Sequence, residues 1–115
     1  MDPYLRHRSA LASVLDPLLY NVEWLDCQVW SGRLKQWGND DAIILVEVKR
    51  YPTGAREIHG MIAAGDLGAI KALIVEAEDW ARTQGIQFAS ISSREGWGRV
   101  LPDYSPHQVT IRKAL

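Results

Sequence analysis

The sequence predicts an α+β domain built on a mixed β-sheet, and three observations carry that prediction. A strand, a long amphipathic helix and a second strand follow one another between Arg56 and Ser92. That order is a βαβ unit with parallel strands and a right-handed crossover. Two apolar runs, Leu34 to Trp37 and Ala42 to Tyr51, flank the turn-forming string Gly38-Asn39-Asp40-Asp41 and predict an antiparallel hairpin. Helix-start signals at Asp2-Pro3 and at Asn21 place two helices ahead of the sheet.

Taken in order, the first helix opens at Asp2-Pro3, repeats Leu11, Val14, Leu15 and Leu18 at helical spacing, and ends or kinks near Asp16 because Pro17 follows. The second runs from about Val22 to Ser31 and closes at Gly32, although Trp24, Val29 and Trp30 also suit a strand. In the hairpin, Ile43, Leu45 and Glu47 share one face and Ile44, Val46 and Val48 the other, a two-sided apolar run that suits a central strand. Pro52-Thr53-Gly54 turns the chain into a third strand, Arg56 to Ala64, with Ile58 and Ile62 at even spacing. The long helix spans about 66–84. Leu67, Ile70, Ile74, Ala77 and Ala81 form its apolar stripe, and Glu76, Glu78, Asp79 and Arg82 its wet face. After Gly85 come a buried strand, Ile86 to Ser92, a short helix within Glu95 to Leu101, and a last strand from His107 to Ala114.

The chain has 115 residues, 47% of them hydrophobic, which is enough for one core and predicts a single domain over 1–115. Thirteen Lys and Arg stand against 14 Asp and Glu, a net charge of −1 that argues against nucleic acid and anionic membrane as partners. No apolar run is long enough to span a bilayer, and Met1 to Arg8 lacks the apolar stretch of a secretion signal. The lone Cys27 implies a reducing compartment and reads as a small core residue.

Four constellations could carry chemistry. Gly65-Asp66-Leu67-Gly68-Ala69 stands at a strand-to-helix junction, where free amides and the helix dipole favour an anion such as a pyrophosphate. The plainer alternative is a turn capped by Asp66, whose charge would repel that anion. In Ser93-Arg94-Glu95-Gly96-Trp97-Gly98-Arg99, the two arginines could bind an anion and Trp97 could stack; alternatively they pair with Glu95 while Trp97 pins a short helix. Glu47, Glu57, His59 and Tyr104 are the candidate proton donors and acceptors, with a lone strand histidine more often structural. His7, His59 and His107 are too scattered to predict a metal site. Five tryptophans are many for this length, and an exposed one would mark a contact surface.

From the third strand to the short helix, the chain resembles the second half of a GNAT (N-acetyltransferase-like) domain. The resemblance is sharper to small GNAT-like proteins of tailed phages and prophages. It rests on Ile74-Val75-Glu76-Ala77-Glu78-Asp79-Trp80-Ala81-Arg82-Thr83-Gln84-Gly85, on Arg94, Gly96-Trp97 and Arg99, and on Ser31-Gly32-Arg33-Leu34-Lys35-Gln36-Trp37. It implies a cleft between splayed parallel strands that holds acetyl-CoA, with the pyrophosphate at Gly65 to Ala69. It also implies a direct attack by an amine on the thioester, Glu57 taking the amine proton and Tyr104 returning one to the thiolate. The pattern departs at the pyrophosphate turn, where Gly65, Gly68 and Ile70 stand and only the middle glycine fits. It departs again after the fourth strand, where Val100 and Leu101 occupy the place of the usual tyrosine.

Those departures favour a non-catalytic GNAT-like phage or prophage protein, working through a protein partner in virion assembly or as a minor virion component, in the host cytoplasm or the virion. On that reading no cofactor is required, although acetyl-CoA remains possible. The alternative is an acetyl-CoA-dependent N-acyltransferase acting on an amine.

Overall fold

Both N-terminal helices begin where a side chain takes up a free amide. Asp2 accepts from the Tyr4 amide ahead of α1 (Pro3–Val14), and Asn21 accepts from the Trp24 amide ahead of α2 (Val22–Trp30). The sheet follows, with β1 (Lys35–Gly38), β2 (Ala42–Arg50) and β3 (Arg56–Gly65), then α3 (Leu67–Thr83), β4 (Phe88–Ile91) and α4 (Trp97–Val100). This computed structural model describes residues 2–92, 97–108 and 110–115.

The strands lie in the order β1-β2-β3-β4, the first three antiparallel and β3 parallel to β4 across the α3 crossover. Helices cover both faces. Ile43 and Leu45 of β2 pack with Tyr4, Leu11, Leu25 and Val29 of α1 and α2, while Ile44 and Val46 pack with Ile70, Leu73, Ile74 and Ala77 of α3. β2 is thus the two-sided strand its apolar run predicts. At the β1 edge, the Trp37 and Trp80 rings meet at 5.5 Å in a tilted arrangement and the Lys35 ammonium sits 5.3 Å from the Trp80 ring centre, which fastens α3 to the sheet.

α1 and α2 are joined by a polar contact inside the apolar layer. Asp26 is buried and accepts a hydrogen bond from the Tyr4 hydroxyl at 2.5 Å and two from the Arg8 guanidinium, at 2.9 and 2.7 Å. A buried carboxylate is tolerated only when its oxygens are satisfied in this way. The Arg8 hydrogen bonds outweigh burial and hold the Asp26 carboxyl below its usual range, whereas burial and the carboxylate push the Tyr4 hydroxyl up.

The β3–α3 corner depends on Gly65. Its φ is +113°, and a Cβ there would stand 2.3 Å from the Asp41 carbonyl oxygen and 2.6 Å from the Ala42 Cα. The glycine is required by the approach of the β1–β2 turn, which Asp66 then fastens by donating its amide to that same carbonyl at 3.0 Å.

Five expectations need correction. The strand after Gly85, read as buried over Ile86 to Ser92, is β4 at the sheet edge, with Phe88 exposed. His107 to Ala114 alternates like a strand, yet its described residues form no strand and are exposed. Cys27 is exposed, because α2 turns Leu25, Asp26 and Val29 inward. Leu67, counted in the apolar stripe of the long helix, is exposed in the first turn of α3. Glu78 does not belong to the wet face, because Tyr104 lies over it.

Tyr4→Phe is expected to cost about 1 kcal/mol in chemical denaturation and Asp26→Ala about 2–3 kcal/mol, since only the second strands a charged partner. The low Asp26 pKa sets the sign with pH: its stabilisation is complete above the unfolded carboxylate range and is lost as pH falls below about 4. Asp26→Asn should flatten that acid limb. Gly65→Ala should destabilise by about 1–3 kcal/mol through strain and clash, while Gly68→Ala, whose Cβ meets only the Asp66 carboxylate at 3.3 Å, should cost far less.

Candidate functional site

β3 cannot pair evenly with both of its neighbours. Against β2, Leu45 faces Ile62 while the next residue, Val46, faces Gly60, so Met61 is an extra residue with no partner. That is a β-bulge, and it bends the strand that carries it. On the other side, the ladder with β4 runs from Glu57↔Phe88 to Gly60↔Ile91. A last hydrogen bond, Ser92 N–H to the Gly60 carbonyl at 3.3 Å, closes it. Beyond it β4 ends and β3 continues to Gly65. The two parallel strands therefore part at the bulge.

A cavity of about 430 Å³ lies at this parting. It is lined by Val14 of α1 on one side of the sheet and by Ile70, Ile74 and Ala77 of α3 on the other, so it opens between the two helical layers. Its polar groups are few: Ser90 on the β3–β4 ladder, Ser92 just past its end, and Glu78 with Tyr104 on the α3 side. A mostly apolar cleft with a handful of convergent polar groups is the usual form of a small-molecule site.

The candidate residues fall into different places. Tyr104 lines the cavity and donates its hydroxyl to Glu78 Oε2 at 2.5 Å. Burial first, and the Glu78 carboxylate second, push that hydroxyl above the ordinary tyrosine range, so it stays protonated at neutral pH. Glu57 stands at the start of β3, away from the cavity wall, and accepts the Tyr51 hydroxyl at 2.9 Å. Gly65, Asp66, Leu67, Gly68 and Ala69 form the corner leading into α3 and do not line the cavity; Ile70, the next residue, does. Arg99 is exposed on α4. Trp97 begins α4, and Arg94 lies outside the described residues.

At that corner the Asp66 carboxylate accepts the Ala69 amide at 2.9 Å, which leaves the Leu67 and Gly68 amides outside the helix ladder. Asp66 is therefore the helix cap, as the plainer reading of the motif has it. Three polar groups on the cavity, Glu78, Ser90 and Ser92, escaped the sequence reading. Glu78 was hidden among its charged neighbours on α3, and Ser90 has no local signal beyond its strand. His59 is buried on β3 with Nδ1 2.7 Å from the Ser90 hydroxyl oxygen. Among the described residues no three His, Cys, Asp or Glu side chains gather as a metal site, and no helix is long and apolar enough to cross a membrane.

No family model matches the chain, and no curated protein matches it in sequence. Solved structures do match its fold. An acetyltransferase of Trypanosoma brucei superposes with a TM-score of 0.68 at 15% identity, over 98% of this chain and 93% of the other. A ribosomal-protein-alanine N-acetyltransferase of Brucella melitensis gives 0.62 at 14% identity, over 94% and 92%. A predicted acetyltransferase of Clostridium acetobutylicum, solved with acetyl-CoA, gives 0.59 at 12%, over 96% and 84%.

These neighbours correct the expectation of a non-catalytic assembly protein. The departures at Gly65 and Ile70 weighed in its favour, but they leave the cleft between β3 and β4 open. The three structures named above are described as acetyltransferases, so the alternative reading is the one they favour. In its helices, its mixed sheet and its parted parallel strands, the chain has the GNAT acetyltransferase fold.

Proposed function

We propose that this protein is an acetyl-CoA-dependent N-acyltransferase with an amine as acceptor. The cavity at the Met61 bulge carries the proposal. An acyl-thioester arm is narrow, flexible and largely apolar, and a cleft walled by Ile58, Ile62, Ile70 and Ile74 suits it. Past Gly60, the β4 side of β3 has no ladder partner among the described residues. A free main-chain amide there is the kind of donor that polarises a thioester carbonyl. The Leu67 and Gly68 amides suit the pyrophosphate less well, because Asp66 brings a negative charge to the same helix end.

Acetyl-CoA supplies the activated acyl group, and the chain supplies position and proton control. Tyr104, kept protonated by burial and by Glu78, is the group we assign to give a proton to the departing thiolate. The protein partner expected from the sequence then becomes the carrier of the amine. The Brucella neighbour is named for an alanine of a ribosomal protein, and a protein-borne amine is one class to screen here. The finer resemblance of 74–85 and 94–99 to phage and prophage proteins supports an origin there and action in a host cytoplasm.

Isothermal titration with acetyl-CoA tests the reading. Micromolar binding is expected, lost in Ile74→Trp, which fills the cavity, and weakened in Gly68→Glu, which adds charge at the corner. An absence of heat at millimolar acetyl-CoA overturns the proposal. Asp66→Asn keeps a capping side chain and removes the charge, so it should tighten binding about fivefold, the equivalent of about 1 kcal/mol of repulsion in water. Tyr104→Phe should lower kcat on the order of 10²-fold and leave the acetyl-CoA dissociation constant unchanged.

A further inference from the structure

Among the described residues, the proton that the amine must lose has no obvious taker in the cavity. Glu57 lies off the cavity wall and already holds the Tyr51 hydroxyl. Glu78 lies on the α3 side, engaged by Tyr104. Ser90 is different. It lines the cavity from β4, and it stands directly across the ladder from His59, whose Nδ1 is 2.7 Å from its Oγ. The His59↔Ser90 pair is the rung next to the last, Gly60↔Ile91, after which the strands part. The imidazole is thus placed behind a hydroxyl that faces the site.

Resting on the acyl-transfer reading, we infer that Ser90 and His59 form a proton relay that deprotonates the acceptor amine. The amine nitrogen bonds to the acyl carbon, and the carbon–sulfur bond breaks with its electron pair going to sulfur. The proton leaving nitrogen passes to Ser90 Oγ while the serine's own proton passes to His59 Nδ1. The thiolate is protonated by Tyr104, which recovers a proton from water, and the imidazolium releases its proton to solvent. The relay needs a neutral imidazole at rest. Burial, chiefly, and the Lys49 ammonium push the His59 pKa below its ordinary value, while Glu47 and Glu57 pull it upward. These are the charged groups acting on it from β2 and β3 among the described residues; β4 contributes the uncharged Ser90. The two glutamates also stabilise the imidazolium once it forms.

The tautomer decides the matter first. In ¹⁵N-histidine-labelled protein, with the His59 signal assigned through His59→Gln, Nδ1 should be bare and Nε2 protonated at pH 7. Ser90→Ala should shift the Nδ1 resonance. A protonated Nδ1 overturns the relay, since that nitrogen could not then accept a proton. The rate comes second, read as coenzyme A release from acetyl-CoA with benzylamine as the probe acceptor. Ser90→Ala and His59→Gln should each lower kcat/KM on the order of 10²-fold with acetyl-CoA affinity unchanged. His59→Gln should also abolish the lower limb of the pH profile, and Ser90→Thr should recover most of the rate. A pH limb that survives in His59→Gln or in Ser90→Ala overturns the relay while leaving acyl transfer standing. Wild-type protein that fails to bind acetyl-CoA overturns the acyl-transfer reading itself.

Discussion

Met61 has no partner on β2, and both faces of the sheet are arranged around that fact. Side chains alternate strictly along a strand, so one extra residue reverses every side chain after it. Ile58 faces α3, and without the bulge Ile62 and Ala64 would face it as well. They instead stand opposite Leu45 and Ile43 and join the layer under α1 and α2. The first half of β3 therefore serves one core and its second half the other. The bend that accompanies the reversal carries β3 away from β4 and opens the cavity. Core packing and cleft formation are two results of the same insertion.

This explains which parts were legible in the residues. The long helix was readable because Ile70, Ile74, Ala77 and Ala81 repeat at a spacing only a helix brings to one face, and all four are buried. The two faces of β2 were readable for the same kind of reason. Ile58 and Ile62, at even spacing, read as one face of one strand and lie on opposite faces. A bulge breaks the period with little change in composition, and the one local sign of it, Gly60 inside the strand, does not say which residue is extra. The pairing of Tyr104 with Glu78, and of His59 with Ser90, joins residues 26 and 31 positions apart. Pairs at such range come from tertiary packing, which local pattern does not record. The last segment failed for the opposite reason: its alternation was real, but no described strand takes it as a partner.

The α3 corner shows stability and ligand binding in competition. A capping aspartate contributes about 1 kcal/mol to a helix start, and its charge at about 4 Å opposes an incoming phosphate by a similar amount even in water. The two effects are of equal size, so on the proposed reading Asp66 would weaken an anion site there without abolishing it. Gly65 offers no relief, because its conformation is claimed by the Asp41–Ala42 approach and not by a ligand. The binding of an acyl-coenzyme A would then rest more on the apolar arm in the cleft than on the phosphates at the helix. That balance is what a large Ile-lined cavity beside an acid-capped helix implies.

Acyl transfer to an amine needs one group that accepts a proton and another that donates one at the same pH. Such pairs are made when two environments push two pKa values apart. The parted strands supply two such environments. Tyr104, from the chain after α4, is buried beside a carboxylate, and both influences keep its proton on. His59, on β3, is buried near an ammonium, and both influences keep its proton off. The cavity runs between them, with Glu78 and Tyr104 at its α3 side and Ser90 at the β3–β4 ladder. Neither group is exceptional in the sequence. The difference between them is made by what the fold places against each, and the fold can place them so only because β3 bends at Met61.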